Sequence, residues 1–159
     1  MSVKPEIAAQ RIFTSLTGDW TLRRTMGEMG TFTGTARFFA APDSPENSLR
    51  YREEGMLQRF DGQRFKGYRE YDFVLRRQAI EMLFRDPVGF GNRYVLLDFN
   101  NISDNTVLAA QDDHPCGHDM YHHRMLWHHA DHFETRIKVV GPKKDYELHT
   151  LYHRAPKQD

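Results

Sequence analysis

Leu16-Thr17-Gly18-Asp19-Trp20-Thr21-Leu22-Arg23-Arg24 is the stretch at which the chain changes character. Upstream of it, Ile7, Ala8, Ile12, Phe13 and Leu16 recur at close to the helical repeat, which predicts a short amphipathic helix over about residues 4–16. Within it, Trp20, Leu22 and Arg24 alternate with Asp19, Thr21 and Arg23, the period of two that belongs to strands. That period continues through 31–40, 49–60, 64–75, 79–86, 92–99, 106–111, 118–129, 132–140 and 146–154, making about ten candidate strands rich in aromatic and β-branched residues.

Turn chemistry separates them at 27–30, 42–47, 61–62, 86–91, 100–105 and 141–142. These breaks recur roughly every 10 residues, as in an antiparallel meander. No long helical pattern intervenes, so a βαβ fold is disfavoured. A twisted sheet of this size would leave two open edges, and closure removes them. The expectation is all-β: a single antiparallel up-and-down barrel of about ten strands, with a short N-terminal helix. It forms one domain over 1–159, the barrel spanning about 17–154.

Composition bounds the function. The chain of 159 residues is long enough to bury ~70% of its unfolded surface around one core. Its 22 Lys and Arg balance 22 Asp and Glu, which argues against nucleic acid or an anionic membrane as the main partner. Aromatic content of 13% excludes a disordered chain. A single cysteine, Cys116, excludes an internal disulfide framework and fits a reducing compartment. The N-terminal residues lack the apolar run of a secretory leader, so the expected location is cytoplasmic. Oligomeric state and cofactor are not indicated.

The Gly18-Asp19-Trp20 triplet, after a short helix and opening the first strand, resembles the entry of the calycin barrels, which include lipocalins and fatty-acid-binding proteins. That resemblance implies that Trp20 plugs the closed end and that Arg154, at the end of the last strand, lies across it. A wider set comprises Tyr51-x-Glu53-x-Gly55, Arg69-x-Tyr71, His114-x-Cys116-x-x-Asp119-x-Tyr121 and Gly141-Pro142-Lys143-Lys144-Asp145-Tyr146, followed by Leu148, Tyr152 and Arg154. From about Leu16 to Arg154 it resembles a family of small bacterial proteins of unknown function with a lipocalin-like barrel. The resemblance implies the fold and leaves the chemistry open.

Topology adds more. In an up-and-down barrel the connections alternate between the two ends. The loops at 27–30, 61–62, 86–90, 112–117 and 141–144 should therefore share one end, opposite the helix, Trp20 and Arg154. If the helix closes its end, His114, Cys116, Lys143 and Lys144 ring a mouth.

Strand parity then turns Tyr51, Glu53 and Leu57 inward, with Arg69, Tyr71 and Phe73. It does the same for Asp119, Tyr121, His123, Met125 and Trp127, and for Tyr146, Leu148, Thr150, Tyr152 and Arg154. Buried charges cost several kcal/mol each unless paired. Glu53 and Arg69 therefore admit two readings, an internal ion pair that fixes register or a ligand contact. The candidate ligand-binding residues are Glu53, Arg69, Tyr71, His114, Cys116, Asp119, Tyr121, Lys144 and Tyr146. They suit a polar or amphipathic, possibly anionic small molecule. The alternative is a small enzyme in the same cavity, with Asp119 or His114 as general acid or base, Tyr121 as proton donor, and Arg69 or Lys144 stabilising an anion.

All nine histidines lie between 114 and 153. His114, Cys116 and His118 have metal-ligating chemistry but match no standard zinc spacing, so no metal site is assigned there. The plainer reading of this stretch is that Pro115 and Gly117 shape a tight loop with Cys116 packed beneath it, metal binding being the alternative. His122-His123 and His128-His129, with His132, flank the next hairpin. Neighbours on a strand face opposite sides, so neither pair can chelate through one face. Lys143 and Lys144 form either a cationic rim or an ordinary solvated turn.

Overall fold

The computed structural model describes residues 4–99 and 107–157. The expected turn at 100–105 and the first residue of the seventh candidate strand lie outside them. Helix α1 (Pro5–Leu16) begins on a proline, which needs no intrahelical N–H at that position. It buries Ala8, Ala9, Ile12 and Leu16.

Ten strands follow: β1 (Gly18–Thr25), β2 (Thr31–Phe39), β3 (Ser48–Gln58), β4 (Arg64–Leu75), β5 (Ala79–Phe84), β6 (Arg93–Asp98), β7 (Leu108–Cys116), β8 (Asp119–His129), β9 (His132–Val140) and β10 (Asp145–Arg154). Each pairs antiparallel with the next, and β10 closes on β1. The alternation in β1 becomes alternating burial, with Trp20, Leu22 and Arg24 inside and Asp19, Thr21 and Arg23 outside.

The closed end is built from both chain termini. Trp20 is 0% exposed and donates its indole N–H to the Leu16 carbonyl at 2.8 Å. Its ring meets Phe133 edge-on at 4.8 Å and Trp127 at 6.2 Å. The Arg154 guanidinium lies 4.0 Å over the Trp20 ring and donates to the carbonyls of Ser15, Thr17 and Ala130. One cation thus satisfies the orphan carbonyls where α1 ends and ties the β8–β9 hairpin to them.

Two features of the wall bear on its shape. Gly34 and Gly55 face each other across β2 and β3, and a Cβ on either would fall near 2 Å from a backbone oxygen of the other strand. Only glycine permits this approach, and the Phe32 ring fills the space inside.

The second is the expected loop at 112–117, which is strand up to Cys116 with Gly117-His118 as a tight turn. Pro115 is tolerated because, among the described residues, β6 and β7 pair only at Asp98 and Gln111, leaving that side of β7 near Pro115 without a ladder partner. Asp112 partly fills this seam by accepting the Leu96 backbone N–H at 2.7 Å.

Candidate functional site

Above the Trp20 plug, the inward faces of β1, β3 and β10 carry a saturated polar network. Arg24 donates to both carboxylate oxygens of Glu53 at 2.8 Å each and through Nε to Thr150 Oγ1 at 2.7 Å. The Tyr51 hydroxyl donates to Glu53 Oε1 at 2.6 Å and lies 2.8 Å from the Tyr152 hydroxyl. Phe32 closes over the guanidinium, 5.4 Å from its ring centre. Glu53 is 3% exposed and Arg24 8%.

Burial alone would push the Glu53 carboxyl up, but the Arg24 hydrogen bonds and charge, with the Tyr51 hydroxyl, hold it below the usual carboxylate range. Burial raises the Tyr152 hydroxyl to about 12. The expected Glu53–Arg69 ion pair is therefore corrected. The two residues are cross-strand neighbours, but the Arg24 fork takes both carboxylate oxygens.

Arg69 is left differently placed. Its guanidinium borders the interior cavity yet stays accessible to solvent at the barrel's open half. Among the described residues its hydrogen bond is a long one, 3.4 Å to the Tyr71 hydroxyl, and no carboxylate pairs with it. Tyr71 stacks on Tyr94 at 5.7 Å. Tyr94 in turn meets His123 edge-on at 5.4 Å and His114 at 5.2 Å.

His123 is the second unsaturated group. It is 3% exposed, and neither ring nitrogen has a hydrogen-bond partner. With Arg24, Glu53, Arg69 and Tyr94 it borders a cavity of about 40 Å³ whose remaining wall includes Phe38, Phe73, Met82 and Met125.

Burial first, and the Arg24 charge second, lower the His123 imidazole from 6.5 to about 4. Between those values the unfolded chain binds a proton that the folded barrel refuses. Stability should therefore fall as pH drops from about 6.5 to about 4, by on the order of 3 kcal/mol from this residue. Urea unfolding of the wild type and His123→Phe across that range measures the difference. A shallower slope is expected in the variant, and equal slopes would remove the claim.

Toward the mouth, Lys144 pairs with Asp119 at 3.0 Å and sits 6.0 Å over the Tyr121 ring. His114 is the register partner of Tyr121, with ring centres 6.3 Å apart. Tyr146 lies half-buried beside Gly27, near Tyr121 and Lys144. Burial, reinforced by Tyr121, raises its hydroxyl despite the opposing Lys144 charge. The structure thus brings Glu53, Arg69 and Tyr71 to the cavity wall and gathers His114, Asp119, Tyr121, Lys144 and Tyr146 in a separate cluster outside its lining.

Cys116 belongs to neither group. It is exposed near the hairpin tip, which corrects the expectation that it packs beneath a loop: strand geometry carries β7 beyond the interior. His118 is exposed as well.

The candidate residues read from the sequence omitted Arg24, Tyr94, Tyr152 and His123, although strand parity turns His123 inward. Arg24 shares parity with Trp20 and Leu22, which was the available signal. For Tyr152 the same parity argument held. Tyr94 had no comparable cue, because its neighbours Val95 and Leu97 are buried too.

Among solved structures, the chain is similar to the S-type phycobiliprotein lyase CPES from Guillardia theta, at TM-score 0.61 and 12% identity, covering 98% of this chain and 100% of that one. It is also similar to mFAP1, a redesigned β-barrel bound to DFHBI, at TM-score 0.48 and 13% identity, covering 91% and 99%. At these identities the likeness to CPES carries the fold, and the interior is read from this chain's own residues. No curated protein sequence matches the chain. Among the described residues, no helix is long and apolar enough to cross a membrane. The sequence pattern of the family of unknown function DUF6314 matches residues 16–154, and the chain belongs to that family.

Proposed function

We propose that this barrel binds a small organic anion, a carboxylate on an aromatic or short apolar body, with its charge between Arg69 and His123. The observation that carries this reading is the charge balance at the cavity wall, where the exposed Arg69 stands beside the buried Arg24–Glu53 pair. Two guanidiniums face one carboxylate, and the Arg24 fork uses that carboxylate completely.

Arg69 makes no hydrogen-bonded ion pair among the described residues, and the Glu53 charge acts on it only from a distance. A carboxylate would supply acceptors for it and a partner for the buried His123 ring. The phenylalanines and methionines around the cavity suit an apolar body. A volume of about 40 Å³ exceeds the ~10–15 Å³ that one water needs and falls far short of a ~300–1,000 Å³ drug-sized pocket, so the ligand is small. Lys144, Tyr121, Tyr146 and His114 form the entry rim, with Asp119 holding Lys144 in place.

The test is thermal unfolding with acetate, butyrate and benzoate added singly to wild type and Arg69→Met, with sodium chloride at equal ionic strength as control. At least one carboxylate should raise the wild-type midpoint, and the rise should vanish in Arg69→Met, whose own stability should change little. Equal responses in both proteins, or none in either, would contradict the reading.

A further inference from the structure

We propose that His128, His132 and Glu134 form a divalent-metal site on the outer wall of the barrel beside its closed end, taking zinc or another borderline ion. Nothing in the interior site requires it. Phe133 points inward, so His132 and Glu134 point outward on β9. His128 points outward from β8, where a register irregularity between Trp127 and His129 re-aims it towards β9.

One ligand atom from each residue lies within 4.8 Å of the other two. Tetrahedral zinc with bonds of ~2.0–2.1 Å spaces its ligands roughly 3.4 Å apart. Small side-chain rotations therefore bring the three into range.

Two further observations separate this cluster from an ordinary solvated patch. Glu134 is an outward-facing carboxylate, yet only 8% exposed. His149 Nε2 at 3.0 Å and Arg136 Nε at 3.1 Å hold its Oε1, while Oε2 faces His128 Nε2 at 2.9 Å. Arg136 is itself drawn towards Glu147 at 3.1 Å. In addition, His132 Nδ1 bonds the Tyr152 carbonyl at 2.8 Å, a bond in which the ring nitrogen must donate. That fixes the tautomer and leaves Nε2 with a free lone pair, the arrangement that outer-shell carbonyls impose on metal-bound histidines. Two imidazoles and a carboxylate leave a fourth position open to solvent, as in exchangeable zinc sites.

The experiment is calorimetric titration of zinc chloride into chelator-treated protein carrying no histidine tag. Cobalt absorption serves as a second readout of tetrahedral geometry. Wild type should bind one equivalent. His128→Asn and His132→Gln, both half-buried surface positions, should each weaken binding by about tenfold or more and abolish the cobalt spectrum. A Cys116→Ser/His118→Gln double variant should bind as wild type does. Absence of zinc binding by wild type, or wild-type affinity retained in either histidine variant, overturns the proposal, as does loss in the Cys116/His118 variant alone.

Discussion

Arg24→Met should lose about 3–5 kcal/mol of unfolding free energy, measured by urea denaturation at neutral pH. The substitution keeps a side chain of similar length against Phe32 but leaves Glu53, 3% exposed, charged and without its bidentate partner. An uncompensated buried carboxylate is the costly outcome. Removing both charges in Arg24→Met/Glu53→Leu should recover most of the loss, although Tyr51 then gives up its acceptor.

The pH dependence carries a sign. In wild type the folded Glu53 lies below the usual carboxylate range, so its contribution is present above that range and lost as pH falls through the folded value. In Arg24→Met the buried carboxyl prefers its neutral form, so the deficit relative to wild type should shrink on acidification. A deficit that stays constant with pH, or a double variant no better than the single, would mean that Arg24 and Glu53 do not act as a unit.

The second large effect is at the closed end. Trp20→Ala should destabilise by about 3–5 kcal/mol, the range for truncating a fully buried large aromatic side chain. It would empty the space against the edges of the stacked Phe133 and Trp127 rings, remove the hydrogen bond to the Leu16 carbonyl and leave Arg154 without the ring it covers. Trp20→Phe should cost less, because it keeps an aromatic ring in the plug and loses chiefly the N–H bond. The comparison is again urea denaturation. A loss below about 1 kcal/mol in Trp20→Ala would show that α1 and Arg154 close this end without the indole.

The architecture was legible because β1, β3, β8 and β10 alternate clearly and turn residues mark the breaks between the others. Trp20, Leu22 and Arg24 facing inward, and Tyr152 and Thr150 with them, are consequences of a period of two that no tertiary contact needs to correct. The Arg154–Trp20 contact was legible for a different reason, since closure of an up-and-down barrel must bring the last strand beside the first.

Pairing inside the barrel was less accessible. Parity placed Glu53 and Arg69 opposite each other, and they are opposite, but side-chain reach across β2 gave the carboxylate to Arg24 instead. The His128–His132–Glu134 cluster depends on a strand irregularity and on registration among β8, β9 and β10, neither of which a linear pattern encodes. Pro115 and Gly117 suggested a tight loop over 112–117 rather than strand, because the missing β6 partner, which makes proline acceptable there, cannot be seen from local sequence.

The central claim is that an organic anion enters the barrel and meets Arg69 and His123. Its most direct measurement is the ring ¹⁵N spectrum of histidine-labelled protein during titration with benzoate, with the His123 signals assigned by comparison with His123→Phe. The expected result is a saturable change in the His123 ring signals, abolished in Arg69→Met, while exposed His118 and His122 stay unmoved. His123 signals that remain fixed to saturating benzoate, or that move equally in Arg69→Met, would contradict the account.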